Sequence, residues 1–443
     1  MGDGQGMTAW RPGVARLIVA ASGVLACTLA LAALAPLVAD ERTARLIPVL
    51  AFAALAALAG SAWLAALPAI TMVPPLALAA FGLALRLPWV FVPPVLDTDF
   101  LRYLWDGALV AHGLSPWAAP PSAGVPAALG EAGVALAARL SFSDLRSIYP
   151  AAAQGVFALA HLLAPWSITG LRLVMLGAEI CTIAVAWGLL RRCRLPVARA
   201  WVLWCCPLVP VVLINAVHVE AVLVPLLLGA VWATVAARGV AAGALLGLAV
   251  GVKVWPLLLA PLIGRTLPRR GLAAAAAALA LTAGLSLAPL LGTLGAADAG
   301  LASYARGWHV NNAPFAWAEA ILGMVLATPG AVLRPMVALA AGLVALAVAV
   351  PPHAGGEALI RRAMIVGAVT FYLSPAQFPW YAMWFMPFAA LLSFRPLLLP
   401  AAALPAYWLF FPLHGIGQGA LFNHGVSALH ALPVAVALLL RWR

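Results

Sequence analysis

Carboxylates, a histidine and a single lysine recur in this chain where their neighbours are almost all apolar, and their spacing suits proton transfer and anion binding. The densest group is Asp97-Thr98-Asp99-Phe100-Leu101-Arg102-Tyr103-Leu104-Trp105-Asp106-Gly107. A carboxylate here can act as a general base, and a nearby guanidinium can hold it or a phosphate. On a helix, Asp99, Arg102, Tyr103 and Asp106 share a face by i, i+3, i+4 and i+7 spacing. The same residues would also serve as helix caps and a structural ion pair, so both readings stand at this point.

A second group, Asn215-Ala216-Val217-His218-Val219-Glu220, interrupts an apolar stretch, where ionisable side chains are costly and therefore functional candidates. His218 and Glu220 could close a loop as a pair or offer two ligands to a metal, although two ligands make a weak metal site. Lys253, the chain's only lysine, sits in Gly251-Val-Lys-Val-Trp-Pro256 between two short apolar arms. A lone cation there suits a phosphate or an anionic headgroup, while a snorkelling interfacial lysine is the alternative. Tyr304-Ala-Arg306-Gly-Trp308-His-Val-Asn311-Asn312 supplies a guanidinium, an indole and two amides, a phosphate-plus-sugar kit or an aromatic belt. Ser374-Pro-Ala-Gln377-Phe-Pro-Trp-Tyr381 reads mainly as a turn, with Gln377 or Tyr381 as contacts, and His414, Gln418, Asn423 and His424 form a weaker last polar patch.

The elements that must carry these groups are membrane helices. Of 443 residues, 65% are hydrophobic and 9% charged, against about one quarter charged in a soluble domain. Apolar stretches at 17–39, 46–67, 70–92, 171–190 and 198–214, with further ones to the C-terminus, approach or reach the ~20 residues a bilayer helix needs. The first is too long for a signal-peptide core and reads as a span. The net charge of +12 is spread between apolar segments, which excludes a nucleic-acid-binding face. The five cysteines lack paired spacing, and Cys205 and Cys206 read as packing residues.

Arginine-rich short loops mark the cytoplasmic side: Arg11/Arg16, Arg191/Arg192/Arg194/Arg199, Arg238, Arg265/Arg269/Arg270, Arg361/Arg362, Arg395 and Arg441/Arg443. Asp3 and Glu357 are the only acids on that side, and Glu179 falls mid-helix. Satisfying all these loops requires that 151–166, the arms around Lys253, and 314–327 do not cross singly. This predicts an all-α polytopic membrane protein with both termini inside and about 12 to 14 transmembrane helices. It is a single integral domain: N-terminal spans in 1–92, an ordered extracytoplasmic loop with short amphipathic helices in 93–150, and a helical core in 151–443. The alanine run 273–278 fits a packed membrane helix.

Across most of its length the chain resembles the GT-C membrane glycosyltransferases, particularly bacterial polyprenyl-phosphate-sugar-dependent enzymes of the mannosyltransferase type. The resemblance rests on Asp99-Phe-Leu-Arg102-Tyr103-Leu-Trp105-Asp106-Gly107 with Gly113-Leu-Ser-Pro116-Trp117, then Ile148-Tyr149-Pro150 and Ala153-Gln154. It continues through Ala216-Val-His218-Val-Glu220, Gly251-Val-Lys253-Val-Trp255-Pro256-Leu257, Tyr304-Ala-Arg-Gly-Trp308 with Asn311, and Ser374-Pro375 with Pro379-Trp380-Tyr381. Two departures, Gly113-Leu-Ser-Pro-Trp117 for a usual Gly-x-Asn-Pro-Tyr and Tyr149-Pro-Ala151 for Tyr-Pro-Pro, bear on loop detail and acceptor choice.

The resemblance implies transfer of a hexose, mannose first, from a polyprenyl phosphate to a glycan or lipid-linked acceptor on the outer face of a bacterial inner membrane. It implies a catalytic base at Asp99, with Asp97 second, and donor-phosphate contacts from Lys253, Arg306 and Arg102. Sugar or acceptor contacts would come from Tyr103, Asp106, His218, Glu220, Trp308, Asn311, Gln377 and Tyr381. No particular cofactor is implied, and a divalent cation is left open. The competing class is a transporter or flippase of a lipid-linked or anionic substrate, which would show two related halves and a midplane site. The motifs lie toward one face, and no halving is visible.

Overall fold

A computed structural model of the chain describes residues 12–40, 44–351 and 355–442. Asp3, Arg11 and Arg443, used above for orientation, lie outside the described residues, as does the side chain of Arg441. Among the described residues the protein is all-helical, with no strand beyond one parallel bridge between Val310 and Ala376. This is the expected outcome for a chain whose backbone must satisfy its own hydrogen bonds in an apolar solvent.

Among the described residues, seven helices are long and apolar enough to cross a membrane: Ala15–Leu37, Leu46–Met72, Ile168–Arg192, Arg269–Leu291, Pro329–Ala349, Arg395–Gly415 and Gly419–Leu440. The stretch expected as one span at 198–214 is instead two pieces, Val197–Trp204 and Leu208–Asn215, bent by 52°. Pro207 breaks the ladder between them, and the second piece ends in a π-helical turn over Val211–Asn215. Counting that pair gives eight, so twelve is not reached by length. The expected span at 70–92 is broken at Pro74-Pro75, leaving the helix Pro75–Val90. Helices Ala151–Leu163, Glu220–Val235, Gly239–Val252 and Ala313–Leu322 are also shorter than a bilayer requires.

Two packing devices hold the site's elements. Helix Gly239–Val252 lies against Arg269–Leu291 through glycines one turn apart. A Cβ on Gly239 would meet Gly271 O at 2.1 Å, one on Gly243 would meet Ala275 O at 2.0 Å, and one on Gly247 would meet Thr282 Oγ1 at 1.8 Å. The alanine run of the partner helix supplies the matching smooth face. Elsewhere, Arg86 of Pro75–Val90 pairs with Glu179 of Ile168–Arg192 through two bonds of 2.8 and 2.9 Å. Arg86 also donates to Gly82 O and Trp204 O and stacks over the Trp204 ring at 3.6 Å. Glu179, isolated in the sequence, is thus neutralised by a residue 93 positions away.

Candidate active site

The segment after Pro75–Val90 is pinned before it reaches its carboxylates. Arg172 donates to Val90 O (2.6 Å), Val92 O (2.7 Å) and Ile214 O (3.2 Å). Asn215 accepts from Val95 N and donates to Pro93 O. These bonds clamp residues 90–95 beside 214–215, and both connections then pass through left-handed backbone, at Leu96 (φ 47°) and Val217 (φ 55°). Such non-glycine conformations persist only where the surroundings enforce them. The result is that Asp97 meets His218.

Asp97 is buried and fully engaged: one oxygen accepts the Asp99 N–H at 2.9 Å, the other contacts His218 Nε2 at 2.8 Å. His218 stacks on Trp380 with centroids 3.5 Å apart, and its Nδ1 lies 3.4 Å from Tyr103 Oη, to which Tyr149 Oη donates. The order of donors is self-consistent: Tyr149 to Tyr103, Tyr103 to His218, His218 to Asp97. Asp99 opens the helix Asp99–Ala111, and its carboxylate has no hydrogen-bond or ion-pair partner among the described residues. Burial raises the Asp99 carboxyl to about 6, with the Asp97 charge adding to the rise. Burial likewise raises Asp97 to about 7 and lowers His218 to about 4.

The predicted helical face of the first motif divides in two. Asp106 is enclosed by Arg102 Nε (2.9 Å), Gln154 Nε2 (2.9 Å) and the Ser147 hydroxyl, and it does not line the cavity that Asp97 and Asp99 border. Beside it, a Cβ on Gly107 would sit 2.3 Å from Phe157 O, so the helix Ala151–Leu163 packs where only glycine fits. Arg102 also donates to Leu145 O at 2.9 Å, while its Nη2 is buried without a protein partner. Lys253, in the extended link after Gly239–Val252, pairs with buried Glu220 and lies 3.7 Å from the Tyr381 ring centroid. Burial lowers the Lys253 ammonium, and Glu220 opposes that shift.

These groups border a cavity of about 590 Å³. Of the predicted residues, Asp97, Asp99, Arg102, Tyr103, Lys253, Trp308 and Tyr381 line it. His218 and Glu220 stand behind Asp97 and Lys253. Arg306 is exposed and outside the lining. Asn311 donates to Gln377 O, and Gln377 donates to Tyr372 O and contacts His430, so both amides brace the turn leading to Tyr381. The patch at His414, Gln418, Asn423 and His424 does not reach the cavity. Sequence reasoning missed Phe142, Arg146 and, in the apolar wall shared with Phe378 and Trp380, Tyr407, Phe410 and Phe411. Tyr149, Tyr304 and Trp380 were visible only as members of motifs.

The weak alternative of a metal held by His218 and Glu220 is not what the two residues form here: Glu220 pairs with Lys253, and His218 contacts Asp97. Instead, Asp97, Asp99 and His218 offer one ligand atom each within 4.8 Å of one another, a set that could hold a divalent cation with nitrogen affinity. The Tyr103 contact to the other imidazole nitrogen would orient such a ligand.

Neither a curated protein nor a solved structure matches the chain. A family profile does: MptA_B family, alpha-(1->6)-mannopyranosyltransferase, N-terminal domain, matching residues 12–269. That region contains both carboxylates, His218, Glu220 and Lys253, whereas Tyr304, Trp308 and Tyr381 lie beyond it. With more than half its length so matched, and a helical bundle enclosing a carboxylate-lined cavity, the chain belongs to this GT-C-type mannosyltransferase family.

Proposed function

We propose that the protein transfers mannose from a polyprenyl phosphate to a hydroxyl of a glycan or lipid-linked acceptor at the extracytoplasmic face, in a single inverting displacement. The observation that carries this is the contrast between the two carboxylates: Asp97 is held by the Asp99 N–H and His218, while Asp99 faces the cavity unpartnered. Asp99 takes the acceptor proton as the oxygen attacks the anomeric carbon, and the sugar–phosphate bond breaks to release polyprenyl phosphate. Inversion to an α-linked product requires a β-configured donor.

Arg102, which lines the cavity, answers the negative charge growing on the departing phosphate. Lys253 is half-spent on Glu220, and its ammonium both steadies Asp99 as a carboxylate and adds to the field around the phosphate. Arg306 is left to the approach surface. The apolar wall supports a lipid donor, because Tyr407, Phe410 and Phe411 belong to the candidate span Arg395–Gly415. The extracytoplasmic assignment rests on the arginine-rich loops of the opposite side. A transporter would also fit many helices, but membership in a transferase family favours transfer.

The deciding experiment supplies purified protein in detergent with radiolabelled polyprenyl-phosphate mannose and a mannoside acceptor. Asp99→Asn is expected to reduce transfer roughly a hundredfold to ten-thousandfold, the usual contribution of a general base. Wild-type turnover by that variant would remove Asp99 from the mechanism.

A further inference from the structure

We propose that Phe142 and Trp308 form a distal acceptor subsite, stacking a pyranose ring at least one sugar away from the hydroxyl that is attacked. The inference rests on the mannosyl-transfer reading above and adds a second point of carbohydrate contact to it. A train of rings leads outward from the charged end of the cavity. Lys253 lies over Tyr381 at 3.7 Å, and the Tyr381 hydroxyl bonds that of Tyr304 at 2.8 Å. Tyr304 stacks on Trp308 with centroids 5.6 Å apart and planes 28° from parallel, and Trp308 meets Phe142 edge-on at 4.7 Å. All four rings line the same cavity.

Exposure rises along this train, from buried Tyr381 to Phe142 at 58%. A core would draw its outermost ring inward, and Phe142 does the reverse: it stands in left-handed backbone (φ 54°), a conformation that a bulky side chain adopts only when held there. Three sets of contacts hold it there. The Arg146 backbone N–H donates to Asp298 O at 2.9 Å, and the Arg146 guanidinium forms an ion pair with the Asp298 carboxylate. Gly300 admits Arg146 O where a Cβ would come within 2.2 Å. The Ser141 hydroxyl meets Thr98 at 3.2 Å, tying the loop to the segment that bears both carboxylates. The Phe142–Trp308 pair is therefore fixed relative to Asp99.

Carbohydrate is the ligand class that fits. A pyranose presents a C–H face to an aromatic ring and hydroxyls at its edge, and Ser141, Arg146 and His309 stand beside the pair to meet them. Phe410 and Phe411, which lie within a candidate span, offer hydroxyls no polar partner and suit the isoprenoid.

The test compares kcat/KM for a monosaccharide mannoside and a linear tetrasaccharide, with polyprenyl-phosphate mannose fixed. Wild-type protein should favour the tetrasaccharide by about tenfold, the worth of one good aromatic contact. Phe142→Ala and Trp308→Ala should bring the ratio close to one, and Phe142→Tyr and Trp308→Phe should keep most of it, which separates lost stacking from lost folding. No tetrasaccharide preference in the wild type, or a preference surviving both alanine variants, would overturn the subsite. A rise in donor KM with the ratio intact would give the rings to the donor and overturn it equally. Failure of wild-type protein to transfer to either acceptor would refute the mannosyl-transfer reading itself, and this inference with it.

Discussion

Asp97 and Asp99 are two positions apart and both raised by burial, yet Asp97 is held by the Asp99 N–H and His218 while Asp99 faces the cavity unpartnered among the described residues. With its carboxyl near 6, Asp99 gains its basic form as pH rises through that value, so transfer should climb across about pH 5 to 7 and level above it. A pH–rate profile checks this, and an acidic limb near 4 would contradict it. The effect on stability has the opposite sign. A folded-state value raised above 3.8 means that the fold binds the proton more tightly than the unfolded chain, a contribution present at low pH and lost as pH rises through about 6. Asp99→Asn should therefore melt at or above the wild-type temperature at pH 7.5, with the advantage shrinking toward pH 4. The ionisable members of this site were legible because charge among apolar residues is conspicuous. Arg306 was legible and yet lies outside: in the helix Gly300–Gly307, two residues past Tyr304 is roughly 200° around the axis. Asn311 and Gln377 show the same limit, since composition cannot separate an amide that meets a ligand from one that closes a turn. Phe142, Tyr407, Phe410 and Phe411 carried no signal at all in a chain that is 65% hydrophobic.

Helix Gly239–Val252 delivers Lys253, so its glycine contacts bear on function as well as packing. Gly243→Val would drive a side chain into Ala275 O, and overpacking of this kind costs about 1–3 kcal/mol. The expected outcome is a lower melting temperature together with reduced transfer, as Lys253 shifts from Glu220 and Tyr381. Gly284→Ala, on the partner helix with open space around it, should be neutral or mildly stabilising, and equal damage from both variants would remove the packing account. Helix identity was readable throughout, from the 3.6-residue register of the first motif to the short arms on either side of Lys253. Helix continuity was not. Pro74-Pro75 and Pro207 cut stretches that hydropathy alone reads as unbroken, which is why spans counted by apolar length outnumber those that remain long enough in the fold.

The proposed orientation of the bundle rests on where arginines cluster, and one label tests it. Ser122 is exposed, and its N–H bonds Ser143 O in the loop facing the cavity. Ser122→Cys should react with an impermeant thiol reagent added to intact cells, whereas labelling only after lysis would invert the topology. The Arg86–Glu179 pair has a consequence at this scale as well, in time and not in space. Arg86 emerges from the ribosome 93 residues ahead of its partner, roughly 5 to 20 s at ordinary rates of synthesis. A lone arginine in an apolar helix costs on the order of 3 kcal/mol to insert. The helix Pro75–Val90 is thus poorly retained in lipid until Ile168–Arg192 arrives, and the loop between them, which carries both carboxylates, is committed to its side of the membrane only when the two charges meet.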